Sequence, residues 1–226
     1  MLMAMLKKDC DPLRYMNPRE NRKLKRSFYE NDPFTVCKDM LGKLIVNQSN
    51  CGIMTGEIVE TEVYIGPDDK ASHAYCNKRT KRTSVQFGER GHAYIFRVYG
   101  MYNCFCAVVG PPYVPAVVLV RAVRPIDGID FMRKNRRLSA GAPIHKLTNG
   151  PSKFCQAYGI TDELNGIDLL GQKLFLCEQE QSEFKIATSA RVGIDYAEEY
   201  KDVCWRFYKE GDIFVSKVIT KRDAKH

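Results

Sequence analysis

The chain has no run of 18 apolar residues, the length from which a membrane-spanning helix is built. Its nine cysteines include no Cys-x-x-Cys pair, so a zinc site is not expected. Their number is odd, and the opening MLMAMLKK lacks a long apolar stretch and sets its apolar residues before its charges, a poor pattern for a secretory signal. The cysteines are therefore expected to be free thiols in a reducing compartment, most of them small core residues. No internal repeat is present, and no linker divides the sequence.

What remains is 226 residues with 44% hydrophobic and 27% charged content, enough for one large domain with a real core. Lysine and arginine number 35 against 27 acids, a net charge of +8. That excess suits a polyanionic partner, because neutralised phosphates release counterions; an ordinary basic protein fits the number equally well.

Residues 1–26 carry eight basic residues and three acids and are expected to form a flexible basic arm. Apolar spacing from Phe34 to Leu41 predicts a short helix, with Asp32-Pro33 as its start and Gly42 as its stop. Residues 44–65 predict two strands broken at Asn47–Gly52. In the second, Glu60, Glu62 and Tyr64 share one face and Val59, Thr61 and Val63 the other. Gly66-Pro67 ends it, and a long polar loop containing KRTKR (78–82) follows. Residues 92–98 and 103–109 predict a hairpin turned at Gly100. AVVLVRAV (116–123) predicts a central strand, DGIDFMRKNRR (127–137) a helix capped by Asp127, and GPSKFCQAY (150–158) a helix opened by Gly-Pro-Ser. LFLC, CWRFY and IFVSKVI predict further short strands. The whole is expected to be a single α+β domain over 27–218: a curved, mostly antiparallel sheet with flanking helices and a protruding β-hairpin, followed by a basic tail at 219–226.

Glu62 stands beside an aromatic at a strand end, a place that suits a pocket mouth and a carboxylate that deprotonates water and stabilises a cationic sugar. A surface acid on a half-exposed strand fits that position too. His73 follows in the loop. The hairpin tip gathers Tyr99, Met101 and Tyr102 around one glycine, where tips are normally polar. With Arg97 beside it and KRTKR upstream, the tip suits a wedge between base pairs, or else a turn buried against the domain. Phe96, on the strand leading to the tip, and Tyr64 suit opposite walls for a planar base, although a strand phenylalanine also suits a core.

Four segments then fall into one pattern: ETEVYIGPDDKASHAY (60–75), YIFRVYGMYNC (94–104), VLVRAVRP (118–125) and GPSKFCQA (150–157). With ARVGI (190–194), WRFY and FVS after them, the sequence resembles the alkyladenine (3-methyladenine) DNA glycosylase family across about residues 26–218. The resemblance implies a monofunctional, cofactor-free and metal-free hydrolase. It would act as a monomer, inside the cell where the DNA is, on double-stranded DNA containing damaged purines (3-methyladenine, 7-methylguanine or hypoxanthine), leaving an abasic site. It implies Glu62 as general base and Arg121 as its partner near the target phosphate. Tyr64, Ala71, His73, Phe96 and Cys106 fall at base-pocket positions, with main-chain bonds to the base from Ala71 and His73. Tyr99 fills the gap left by the flipped nucleotide, with Val98, Met101 and Tyr102 in the minor groove. Lys153, at a helix start suited to anions, Arg82 and Arg97 fall to the DNA backbone. Two departures stand out. The family often has tyrosine at the position of Phe96, and often asparagine at that of Cys106, where the amide helps exclude normal guanine; a broader or shifted substrate range is the expectation.

Overall fold

The computed structural model describes residues 23–49, 52–180 and 183–216. Most of the expected basic arm and all of the expected tail lie outside them. Residues 23–26, counted with the arm by composition, are docked. The Leu24 N–H donates to the Leu176 carbonyl at 2.9 Å, Leu24 is buried, and Arg26 pairs with Asp168 at 2.7 Å.

The elements run α1 (Arg26–Tyr29), α2 (Pro33–Asp39), β1 (Leu44–Ser49), β2 (Gly52–Ile65), β3 (Ala93–Val98), β4 (Tyr102–Val108), β5 (Ala116–Asp127), α3 (Ile129–Arg136), α4 (Pro151–Tyr158), β6 (Leu174–Cys177), β7 (Ile186–Ser189) and β8 (Arg206–Lys209), with short 3-10 turns between. All the strand pairings are antiparallel. The sheet order is β3-β4-β5-β2-β1-β6. The 14-residue β2 organises it: one edge pairs with β5, while the other pairs with β1 along its first half and with β8 at Glu60–Glu62. Register shifts between Ile58 and Thr61 mark a bulge at that changeover. The fold is α+β with an antiparallel sheet, as expected.

Asp32 caps α2 as expected, accepting the Phe34 and Thr35 N–H groups at 3.0 Å, with Pro33 in the first turn. Asp127 does not cap α3. It ends β5, paired with Thr55, and Gly128 takes the cap position at φ 76. An added Cβ there would lie 2.3 Å from the Ile53 carbonyl, so only glycine fits the turn. IFVSKVI is not a strand over its described residues 213–216, where a turn closed by Val215 N–H to Asp212 C=O replaces it.

Period-two alternation divides the sheet. Val63, Ile95, Phe105, Ala107, Val118 and Val120 join the main core with Val36 of α2, Met40 just after it, and Phe154 and Tyr158 of α4. Each fully buried large apolar side chain there contributes about 1.5–3 kcal/mol. Their neighbours in sequence face the opposite way and build the site. Of the seven described cysteines, all free, five are buried, which fits a packing role.

Candidate active site

On that second face lies a cleft of about 300 Å³. Its lining includes the aromatic Tyr64, His73 and Phe96, the thiols Cys104 and Cys106, Leu119, and Arg121. The start of α4 and the loop Val192–Ile194 close it. The thiol pair reaches the cleft because β4 alternates: Cys104 and Cys106 turn in while Phe105 enters the core. Burial raises the Cys106 pKa well above the usual thiol value, so the group is a neutral, weakly polar wall.

The aromatic side is held by side-chain contacts. His73 meets Phe96 edge-on at 4.6 Å between ring centroids, and Phe96 stacks on Tyr94 at 5.3 Å. Arg82 lies 3.2 Å from His73 Nε2, and a guanidinium can only donate, so Nε2 accepts. The ring proton therefore sits on Nδ1, which donates to the Tyr94 hydroxyl at 3.0 Å. Burial, with the Arg82 charge, lowers the His73 pKa to about 4, and the imidazole is neutral near pH 7.

Behind this wall lies a group of buried charges that the sequence places on an ordinary strand face. Glu62 is wholly buried rather than at a pocket mouth. It accepts the Val192 N–H at 2.8 Å on Oε1, and on Oε2 the Tyr64 hydroxyl at 2.7 Å and Arg121 Nη1 at 3.3 Å. Burial first, and then Glu62, raise the Tyr64 pKa, so the phenol keeps its proton and donates. Burial works against the Arg121 charge, but Glu62 and Glu60 outweigh it and its pKa is raised. Glu60, also wholly buried, accepts Arg121 Nε at 2.6 Å, Arg206 Nε at 2.7 Å, the Ser216 hydroxyl at 2.7 Å and the Ser216 N–H at 2.6 Å. Arg191 grips Asp69 through both terminal nitrogens, at 2.6 and 2.8 Å, and lies between the Tyr64 and Trp205 rings, 4.5 and 4.9 Å from their centroids. Of these, only Glu62, Tyr64 and Arg121 were expected as site residues. Arg191, Arg206 and Ser216 sit in the ARVGI, WRFY and FVS segments, whose order along the chain was the available signal.

The hairpin tip stands in water. Tyr99 is 90% exposed, Met101 68% and Tyr102 43%. Tyr99 and Gly100 have φ of 50 and 70, the signs of a type I′ turn. Val98 and Tyr99 also edge the cleft. Two expected contacts are committed elsewhere. Arg97 alternates away from Phe96 and Val98 and pairs with Asp162 at 2.7 Å. The Ala71 N–H donates to Asp69 Oδ1 at 2.9 Å, and the Ala71 carbonyl receives the Tyr196 hydroxyl at 3.4 Å. Lys153 donates to Asn149 at 3.0 Å; burial, then Arg136 and Lys146, lower its pKa, so three cations share the region beside the start of α4. Among the described residues, no group of three or more His, Cys, Asp or Glu is placed to hold a metal, and no helix is long and apolar enough to cross a membrane.

An aromatic slot backed by a fixed carboxylate and overhung by an exposed aromatic turn suits work on a flat ring drawn out of a polymer, which points to the enzymes that extrude a base before acting on it. Comparison with known proteins fixes the family. The profile of Methylpurine-DNA glycosylase (MPG) matches residues 27–213. A protein of Clostridium novyi is 44% identical over 201 residues, covering 87% of this chain and 99% of its own length. One of Clostridium acetobutylicum is 45% identical over 207 residues, covering 89% and 100%, and one of Bacillus cereus (strain AH187) is 46% identical over 199 residues, covering 84% and 97%. All three bear a provisional 3-methyladenine DNA glycosylase name. The chain belongs to the methylpurine-DNA glycosylase family: it is a monofunctional hydrolase, a DNA glycosylase for alkylated bases.

Proposed function

We propose that this enzyme flips alkylated or deaminated purines, of the 3-methyladenine, 7-methylguanine and hypoxanthine type, out of duplex DNA. It then hydrolyses the N-glycosidic bond with a water directed by Glu62, leaving an abasic site. The observation that carries this reading is the buried Glu62, ringed by donors from Tyr64, Arg121 and Val192 immediately behind the aromatic cleft. Two carboxylate oxygens offer about four acceptor sites, and three are occupied. The fourth, on Oε1, receives the water's proton as its oxygen attacks the sugar carbon. The charge that Glu62 carries opposes the positive charge developing on the sugar. Arg121, fixed by Glu60 on its other edge, holds the carboxylate in place and faces the cleft.

The flipped purine stacks among Tyr64, His73 and Phe96. His73 is neutral and so adds no charge of its own to that of Arg82 beside it, while the ring faces attract a base made cationic by alkylation. With the Ala71 N–H committed to Asp69, the His73 main chain serves the base. Cys106 offers a thiol rather than an amide toward the base, which widens the accepted range. Tyr99 fills the vacated stack, with Val98, Met101 and Tyr102 against the minor groove. Arg82 and Lys153 neutralise phosphates, and Arg97 does so only on leaving Asp162. The enzyme acts as a monomer on double-stranded DNA, where the cell keeps it.

A panel of duplexes, each with one lesion and assayed for abasic sites, tests the proposal. Alkali-dependent strand breaks at 3-methyladenine, 7-methylguanine or hypoxanthine are expected, and none without alkali. Release of no base from any of them would overturn it.

A further inference from the structure

Gln86 is a polar side chain of the cleft that the proposed reaction leaves without a task. It sits in the 3-10 turn Ser84–Phe87, inside the long loop after β2. Its backbone is fixed, its N–H bonded to the Thr83 carbonyl at 2.9 Å and the turn closed by Gly88 N–H to Val85 C=O at 3.1 Å. The side chain is 1% exposed and lines the cleft with His73 and Tyr94. Among the described residues, neither carboxamide atom, Nε2 or Oε1, has a hydrogen-bond partner. Burial raises the Tyr94 pKa and Gln86 works in the opposite direction, so the amide lies beside the Tyr94 hydroxyl although it falls short of hydrogen-bond geometry with it.

An amide buried with both ends unpaired is costly, and native proteins rarely keep one without a use. Here the cleft gives it one. A carboxamide presents one donor beside one acceptor, the complement of a ring edge carrying an acceptor beside a donor. We infer that Gln86 reads the six-membered-ring edge of the flipped purine. Its Nε2 donates to the exocyclic oxygen of a deaminated base, and its Oε1 accepts from the adjacent ring N–H. The turned-over amide serves an amino group beside a ring nitrogen in the same way. This rests on the reading of the cleft as the base pocket, and makes Gln86 a determinant of which purines are held there.

The test is single-turnover release, by wild type and Gln86→Met, of hypoxanthine and of unsubstituted purine, which lacks the donor–acceptor pair; 7-methylguanine, which carries the same oxygen and ring N–H but leaves more readily, shows only that the site still acts. The substitution is expected to slow hypoxanthine at least tenfold and purine less than threefold. Equal slowing of both, with 7-methylguanine still released, would overturn the inference alone. Release of none of the three by wild type would overturn the reading of the cleft and this inference together. Should Gln86→Met fold poorly, wild type alone decides by hypoxanthine against 1-methylhypoxanthine, in which a methyl group replaces the ring proton. At least tenfold slower release of the methylated base supports the pairing, and equal rates overturn it.

Discussion

The middle of the sheet and the tip of the hairpin depart from the usual partition of a globular protein in opposite directions. Glu60 and Glu62 are wholly buried, whereas Tyr99 is 90% exposed and Met101 68%. Buried carboxylates persist only where partners meet their charge, and here Arg121, Arg206, Ser216, Tyr64 and the Val192 N–H do so. Large apolar side chains left together in water mark a surface that something else covers. The fold itself thus meets the charges of the sheet centre, whereas only a partner accounts for the tip. Changes at the first should register in stability, and changes at the second in DNA binding.

The largest effect on stability is expected at Glu60. Glu60→Ala leaves Arg121 and Arg206 facing each other without their shared anion, and should cost about 3–5 kcal/mol in chemical denaturation. A loss below about 1 kcal/mol would mean that the network is not what holds the strands β2, β5 and β8 together.

Next comes His73. Its folded pKa of about 4 lies below the ordinary 6.5, so the unfolded chain takes up a proton first as the pH falls. The stability it contributes is complete above pH 6.5 and is lost as the pH drops toward 4, on the order of 2 to 3 kcal/mol. Denaturation at pH 7 and pH 4 should show that slope, and His73→Gln should flatten it.

Tyr99→Ala should change stability by no more than about 0.5 kcal/mol. Affinity for a lesion duplex should fall about tenfold, roughly 1.4 kcal/mol, within the range of one base–aromatic stack. If stability and affinity fall together, the tip is structural and the contrast fails.

The smallest effects separate two rim cations. Lys153→Ala should lower the salt slope of DNA binding by about one. Arg97→Ala, whose charge already faces Asp162 on the other side of the hairpin, should leave the slope unmoved and cost under about 1 kcal/mol in stability.

Local chemistry made much of the fold legible. Asp32-Pro33, Gly150-Pro151 and the Tyr99-Gly100 turn each fix one backbone geometry, and the apolar run at 116–123 announced a strand covered on both sides. Asp127 misled because a capping residue and the last residue of a strand look alike until the pairing with Thr55 is known. The site was legible as a set of segments but not as an assembly. Alternation put Glu60 and Glu62 on one face, yet could not show that Arg206, Ser216 and Val192, more than a hundred residues away in the chain, cover that face. Gln86 passed unnoticed in a polar loop, since only the folded chain shows that its amide is buried and unpaired.

The central claim, that a buried carboxylate directs water at the sugar, is tested most directly at Glu62. Glu62→Gln keeps the size and one of the acceptor oxygens but removes the charge and the base. With protein in excess over a hypoxanthine duplex, base release should fall at least about a hundredfold while binding of the same duplex stays within a few-fold of wild type. Release at the wild-type rate by a fully bound Glu62→Gln would contradict the account.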